Sequence, residues 1–336
     1  MPTEVRKKAR DLMSGFCKVC PVCDGRACKG QVPGMGGTGT GSSFFANMES
    51  LAKVKLNMRT IHHNVNPDTS VEIFGQKLSV PVMVGPMTGS TYNMGGKVSE
   101  NDFAKYVVEG SLKAKSFAMT GDGADPTMYE SGLEAIKEFG GGIPIIKPRS
   151  NEEILKKIKQ AEVAGAVAVG VDIDGAGLIT MALKGQPVGP KTKEELKELV
   201  QSTDLPFILK GIMTVEEAEM AVEIGAKAIV VSNHGGRVLD FCPGAADVLP
   251  AIAEKVKGKV TIFADGGVRT GMDVLKMLAL GADCVLIGRP FVTQAFGGGA
   301  EGVENHYIAI RNQLFQAMIL TGCGSTREIN GAVVYK

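Results

Sequence analysis

An α/β fold, a (β/α)8 TIM barrel carrying an N-terminal cysteine-rich extension, is what this 336-residue sequence predicts. Three observations lead there. From residue 80 onward, eight short β-rich runs recur, each apolar enough to be buried on both faces. Segments with apolar residues at three- and four-residue spacing separate them, as a parallel sheet covered by helices requires. Charged and glycine-rich sequences cluster just past the ends of several runs, where such a barrel places its reactive groups.

The runs are VPVMVG (80–85), SFAMT (116–120), IPIIK (143–147), AVAVGVD (166–172), PFILK (206–210), KAIVVS (227–232), VTIFAD (260–265) and DCVLIG (283–288). Between them, NEEILKKIKQAEVAG, TVEEAEMAVEIGA and TGMDVLKMLALGA read as helices with a glycine marking each end. Eight β/α units in roughly 220 residues suit a closed barrel, for which about 250 residues is typical. A doubly wound open sheet has the same local pattern and is the alternative. Residues 76–336 are assigned to the barrel, and 1–75 to an extension that does not follow the repeat. The extension divides into a basic helix-like start, a cysteine cluster, the glycine-rich stretch GQVPGMGGTGTGSSF, and a segment with room for a strand or two. The glycine-rich stretch reads as an irregular loop. It does not sit between a strand and a helix, so it carries no phosphate-binding fingerprint.

Lys and Arg number 37 against 36 Asp and Glu, a balance that offers no bulk attraction to nucleic acid or to an anionic membrane. A small-molecule substrate is expected instead. No stretch approaches the roughly 18 consecutive apolar residues of a membrane span, and none follows the basic start as in a secretion signal. A cytoplasmic protein is therefore expected. Four of the seven cysteines lie between positions 17 and 28, and the others are Cys242, Cys284 and Cys323, which is not a secreted disulfide framework.

Lys210 closes PFILK, Asp172 closes AVAVGVD, and His234 and Arg237 follow KAIVVS, so ionisable side chains stand at the same ends of three strands. An imidazole accepts a proton near neutral pH, and a guanidinium holds a carboxylate through two parallel hydrogen bonds. The two glycines between His234 and Arg237 let the backbone approach a flat cofactor. Asp265-Gly266-Gly267-Val268-Arg269 and Gly288-Arg289-Pro290 follow the last two runs and form a candidate phosphate site. Taken singly, these residues have ordinary readings as a satisfied loop histidine, a snorkelling lysine, a helix-capping aspartate and glycine-containing turns. Together they make a set of acid, base and anion clamp.

The stretches LPFILKGIMTVEEAEMAVEIGAKAIVVSNHGGRVLD (205–240), FADGGVRTGMDVLKMLALGADCVLIGRPF (263–291) and GCGSTREI (322–329) resemble the FMN-dependent 2-hydroxy-acid oxidases and dehydrogenases, the family of glycolate oxidase, lactate oxidase and mandelate dehydrogenase. Agreement is weaker at VPVMVGPMTGS (80–90) and AVAVGVDID (166–174). The resemblance implies FMN as cofactor and oxidation of an L-2-hydroxy acid to its 2-oxo acid. In that scheme His234 is the base, Asp172 orients it, Arg237 clamps the substrate carboxylate and Lys210 stabilises the reduced flavin. Met87, Thr88 and Ser232 would contact the flavin, while Asp265, Gly267, Arg269, Gly288 and Arg289 would hold ribityl and phosphate. A homo-oligomer is implied too, with the electron acceptor left open. Two alternatives stand: a flavin barrel of the type 2 isopentenyl diphosphate isomerase kind, and a non-catalytic metal-binding barrel.

The sequence departs from the family in two places. Tryptophan is absent, and MTGDGAD and IPIIKPR stand where the family carries aromatic residues, which leaves Lys147 as a candidate polar group in the gap. The second departure is Cys17-x2-Cys20-x2-Cys23-x4-Cys28, four thiols that short loops can turn onto one zinc ion or one iron–sulfur cluster. Metal binding is expected there, an iron–sulfur cluster ahead of zinc.

Overall fold

The computed structural model describes residues 3–335. A short antiparallel hairpin of β1 (Val71–Ile73) and β2 (Gln76–Leu78) precedes the barrel. The barrel strands are β3 (Val82–Met87), β4 (Ala118–Thr120), β5 (Ile143–Ile146), β6 (Val169–Asp172), β7 (Phe207–Ile212), β8 (Ala228–Val231), β9 (Thr261–Ala264) and β10 (Cys284–Ile287). All run parallel, and β10 pairs with both β9 and β3, so the ring closes and the open-sheet alternative is excluded. Each strand overlaps one of the eight apolar runs.

Successive side chains of a strand point to opposite faces. Met83, Met119, Ile145, Ile208, Val230, Phe263 and Leu286 therefore fill the barrel, while Val84, Ile146, Val171, Leu209, Val231 and Ile287 pack against the helices. Two residues further along each strand, the inward positions are Gly85, Gly121, Lys147, Asp172, Lys210, Ser232, Asp265 and Gly288. The uppermost layer is thus glycine around β10, β3 and β4, and charged or polar from β5 to β9. This asymmetry positions the site.

The helices begin and end as their sequences ask. Ser150 caps Asn151–Ala164 by accepting from the Glu153 amide, and Gly165 ends it at φ 79°. Thr214 and Thr270 cap Val215–Glu223 and Gly271–Ala279 in the same way. Among the described residues no helix is long and apolar enough to cross a membrane.

Residues before 76 take part in the barrel at both of its mouths. Ile73 and Leu78 of the hairpin join the apolar interior, and the Phe74 ring packs tilted against Phe263 with centroids 6.1 Å apart. The hairpin therefore plugs the N-terminal mouth and spans residues 75 and 76, where sequence alone divides the chain. The glycine-rich stretch lies over the opposite mouth, where the Thr38 amide donates to the Gly236 carbonyl at 2.8 Å. Helix Thr3–Leu12 packs along helix Arg289–Thr321.

Candidate active site

Strand register sets Asp172 beside Lys210 as direct neighbours on β6 and β7. Lys210 Nζ donates to Asp172 Oδ1 at 2.9 Å, and Lys147 Nζ from β5 donates to Asp172 Oδ2. All three side chains are buried. Burial would raise the Asp172 carboxyl, but the charges of His234, Lys147 and Lys210 hold it well below the usual carboxylate range. For Lys210, burial pulls downward while Asp172, Asp174 and Asp265 outweigh it and raise the ammonium above its ordinary value. Both groups are charged at neutral pH.

His234 stands on the turn after β8 at φ 57°, a left-handed backbone that costs a non-glycine residue about 1 to 3 kcal/mol. Asn233 holds this turn: its Oδ1 accepts from the Gly236 amide at 3.1 Å and from Asn47 Nδ2 at 2.7 Å. The imidazole Nδ1 lies 3.0 Å from Asp174 Oδ1 and 3.4 Å from Asp172 Oδ1. With carboxylates at Nδ1, the proton is assigned to that nitrogen, which leaves Nε2 with a lone pair and no protein partner among the described residues. Asp174 is the nearer anchor, and sequence reasoning missed it. Burial, followed by the charge of Asp172, raises its carboxyl, and its Oδ2 accepts no hydrogen bond. Asp172, expected to orient the imidazole, stands at 3.4 Å from Nδ1 and binds the two lysines as well.

Arg237 is half-buried above this cluster. Its Nη1 donates to the Gly34 carbonyl and, at 3.2 Å, to that of Gly36, while Nη2 donates to Asn93 Oδ1 at 3.0 Å. Two of its five N–H groups have no partner. Burial and the neighbouring Arg289 charge push its pKa down to about 9, so it remains charged at neutral pH. Arg289 is held between Met35 O at 2.8 Å and the carbonyls of Gly36 and Gly235 at 3.1 Å, and Arg269 donates to Cys23 O at 2.8 Å. None of these three guanidiniums has a carboxylate within 4.0 Å among the described residues, which leaves a strong demand for an anion.

One cavity is lined by Met87, Thr88, Lys210, His234, Arg237, Asp265, Gly267, Arg269, Gly288 and Arg289 together with Lys147 and Asp172. Asp265 Oδ1 is buried there with no partner. The glycine floor is close-fitting, since a Cβ at Gly121 would come within 3.0 Å of Thr88. These features fit FMN: the glycine side would take its flat ring, and Asp265, Arg269 and Arg289 would hold its ribityl and phosphate. Two of the expected contact residues have their hydroxyls engaged by protein groups. The Thr88 hydroxyl donates to the half-buried Glu100 carboxylate, and Ser232 stands behind the cavity, where its hydroxyl donates to Asp265 Oδ2 at 2.9 Å and accepts from the His234 amide at 3.0 Å. Asp174, Asn93 and the carbonyls of Gly34 and Gly36 complete the site. For Asp174 the signal was the second acidic residue in VDID, whereas the carbonyls leave none. The four clustered cysteines lie outside the cavity, and no three of their sulfurs are within 4.8 Å of one another among the described residues.

Comparison with known proteins agrees with this arrangement. The family model described as FMN-dependent dehydrogenase matches residues 34–181 and 180–336. A 2-hydroxyacid oxidase of Dictyostelium discoideum is 31% identical over 322 residues, covering 86% of this chain and 81% of that protein. A 4-hydroxymandelate oxidase of Amycolatopsis orientalis is 30% identical over 91% of this chain and 96% of its own. The solved structure of a mandelate oxidase carrying a C4a-hydroxy FMN adduct superposes with a TM-score of 0.76 at 28% identity, covering 97% of each chain.

Proposed function

Because the chain belongs to the FMN-dependent dehydrogenase family, we propose that it oxidises an L-2-hydroxy acid to the 2-oxo acid, with His234 as base and Arg237 as carboxylate clamp. The observation that carries this reading is the His234 imidazole, anchored at Nδ1 by Asp174 and open at Nε2 to a cavity that Lys210 and Arg237 share. FMN, when bound, supplies the acceptor for the hydrogen and electron pair leaving the substrate carbon.

The two free N–H groups of Arg237 pair with the substrate carboxylate and fix which carbon faces the cavity floor. His234 Nε2 takes the hydroxyl proton, and the imidazolium that forms is stabilised by Asp174 and Asp172. Lys210 would offer FMN a fixed positive charge, which favours its reduced, anionic form. Lys147, bonded to Asp172, keeps that carboxylate ionised and occupies the side of the pocket where the sequence lacks an aromatic residue. The glycine-rich segment over the mouth excludes water from the reacting atoms.

The test is anaerobic. A panel of L-2-hydroxy acids, beginning with lactate and mandelate, is added to the FMN-loaded protein and the flavin absorbance is followed. Bleaching is the expected result. In His234→Ala the bleaching rate should fall by about 10^2- to 10^4-fold while FMN stays bound, and loss of FMN in that variant would show that His234 has another role. A flavin reduced by NADPH but by no hydroxy acid would move the reading to isomerase-type chemistry.

A further inference from the structure

The geometry points to a second prosthetic-group site in this chain: Cys17, Cys20, Cys23 and Cys28 bind a four-iron iron–sulfur cluster at the rim of the barrel mouth. Only the use of the cluster rests on the hydroxy-acid reading. Its existence does not.

Between Cys17 and Lys29 only Val19 and Gly25 are buried, so this loop has almost no core. Its backbone is nonetheless fixed from three sides. Val19 sits at φ 45°, and Arg6 and Arg10 hold the carbonyls of Lys18 and Val19 through three hydrogen bonds. At Gly25, where φ is 89°, a Cβ would come within 2.7 Å of the Phe44 ring. Arg269 grips the Cys23 carbonyl through Nε at 3.2 Å and Nη2 at 2.8 Å. The sulfurs are therefore held in place although no disulfide joins them. A loop that is ordered without a core is what a bound metal centre staples.

The surroundings suit an anionic centre. The Val19 amide donates to Cys17 Sγ at 3.4 Å, a contact that favours a metal-bound thiolate. The spacing of the cysteines in sequence selects the metal: Cys17-x2-Cys20-x2-Cys23 repeats the spacing of the first three ligands in the bacterial iron–sulfur run, with the fourth thiol, Cys28, one residue further on.

The location gives the cluster a use. Arg269 lines the cavity on one side and holds Cys23 on the other, while Val22 at the loop tip is 66% exposed. Oxidation of one hydroxy acid to its oxo acid releases two electrons and two protons. The electrons leave singly through the cluster to an oxidised one-electron acceptor in solution, so two acceptors are reduced per substrate, and the protons go to water.

Full-length protein prepared without oxygen and reconstituted with ferrous iron and sulfide is assayed for iron, sulfide, zinc and FMN, then reduced with dithionite for electron paramagnetic resonance. About four irons and four sulfides per chain and a reduced-cluster signal are expected, with both lost in Cys20→Ser and Cys23→Ser while FMN remains bound. Zinc displacing iron, or wild-type protein that holds neither, overturns the cluster whether or not the variants fold. Adding a hydroxy acid then separates the two readings. Flavin bleaching with the cluster still oxidised overturns the outlet. A dithionite-reducible cluster beside a flavin that no hydroxy acid bleaches upholds the cluster and overturns the hydroxy-acid reading.

Discussion

Asp172 and Asp174 lie two residues apart, yet the structure gives them opposite electrostatic fates. Asp172 is surrounded by Lys147, Lys210 and His234 and is held ionised, whereas Asp174 is raised by burial and by its neighbour. Asp174→Asn keeps the shape but replaces an anion at Nδ1 with an amide. It should lower kcat by about 10^2-fold or more while leaving KM within a few-fold, because its work is to hold the imidazole tautomer and its positive form. Equal losses from Asp172→Asn and Asp174→Asn in kcat alone would contradict this division. Asp172→Asn leaves two buried lysines facing an uncharged amide and should cost about 3 to 5 kcal/mol of stability at neutral pH. The sign follows from linkage. A carboxylate whose folded pKa is depressed contributes its full stabilisation above the unfolded value of about 3.9 and loses it as pH falls through the folded value. The stability gap between wild type and Asp172→Asn, measured by denaturant titration, should therefore be flat from pH 8 to about 5 and shrink below about 4. Asp174 contributes with the opposite sign, so the difference between the two proteins is the informative readout.

The loops after the strands set the chemistry, and the glycine-rich segment sets the access. Gly36 shows how tightly that segment is seated: a Cβ there would stand 1.8 Å from the Cys28 carbonyl oxygen, and its own carbonyl accepts from both Arg237 and Arg289. Gly36→Ala should lift the segment, raise KM for the hydroxy acid about tenfold or more, a loss of about 1.4 kcal/mol in binding, and speed proteolysis between residues 30 and 41. An unchanged KM would show that Arg237 is oriented without this segment. The eight strands were legible in the sequence because strands buried on both faces read as continuous apolar runs, and the helices because their apolar spacing and caps repeat. Lys210, His234, Arg237, Arg269 and Arg289 were legible because charge at a strand end is conspicuous. The covering segment was not, because its hold on the site runs through backbone carbonyls such as Gly34 O to Arg237, 203 residues away in sequence, and a carbonyl leaves no trace in residue type. Asp174 was overlooked for a related reason. It falls past the end of β6 in the turn Ile173–Gly177, where residue order no longer tells which side chain reaches the imidazole.

At the scale of the molecule, the barrel keeps stability and chemistry at opposite mouths. The hairpin closes the N-terminal mouth with Ile73, Phe74 and Leu78, while every ionisable residue of the candidate site stands at the C-terminal one. Between them lies the apolar interior layer of Met83, Ile145, Val230, Phe263 and Leu286, which contains no charged side chain. Leu78 is 1% exposed and does not line the cavity, so Leu78→Ala removes packing without touching a functional group. Deleting a buried leucine to alanine should cost about 2 to 5 kcal/mol, the spread depending on how far the plug collapses onto the interior layer. Truncation removes volume and forces nothing in, and the structure around the cavity relaxes only partially. FMN affinity and the rate of flavin reduction, measured well below the unfolding transition, should consequently stay within about twofold of wild type, less than about 0.5 kcal/mol. Joint denaturant titration and flavin titration of the variant check this. A fall in FMN affinity that tracks the stability loss would mean that the two mouths are coupled through the interior layer, and that the hairpin belongs to the working part of the enzyme.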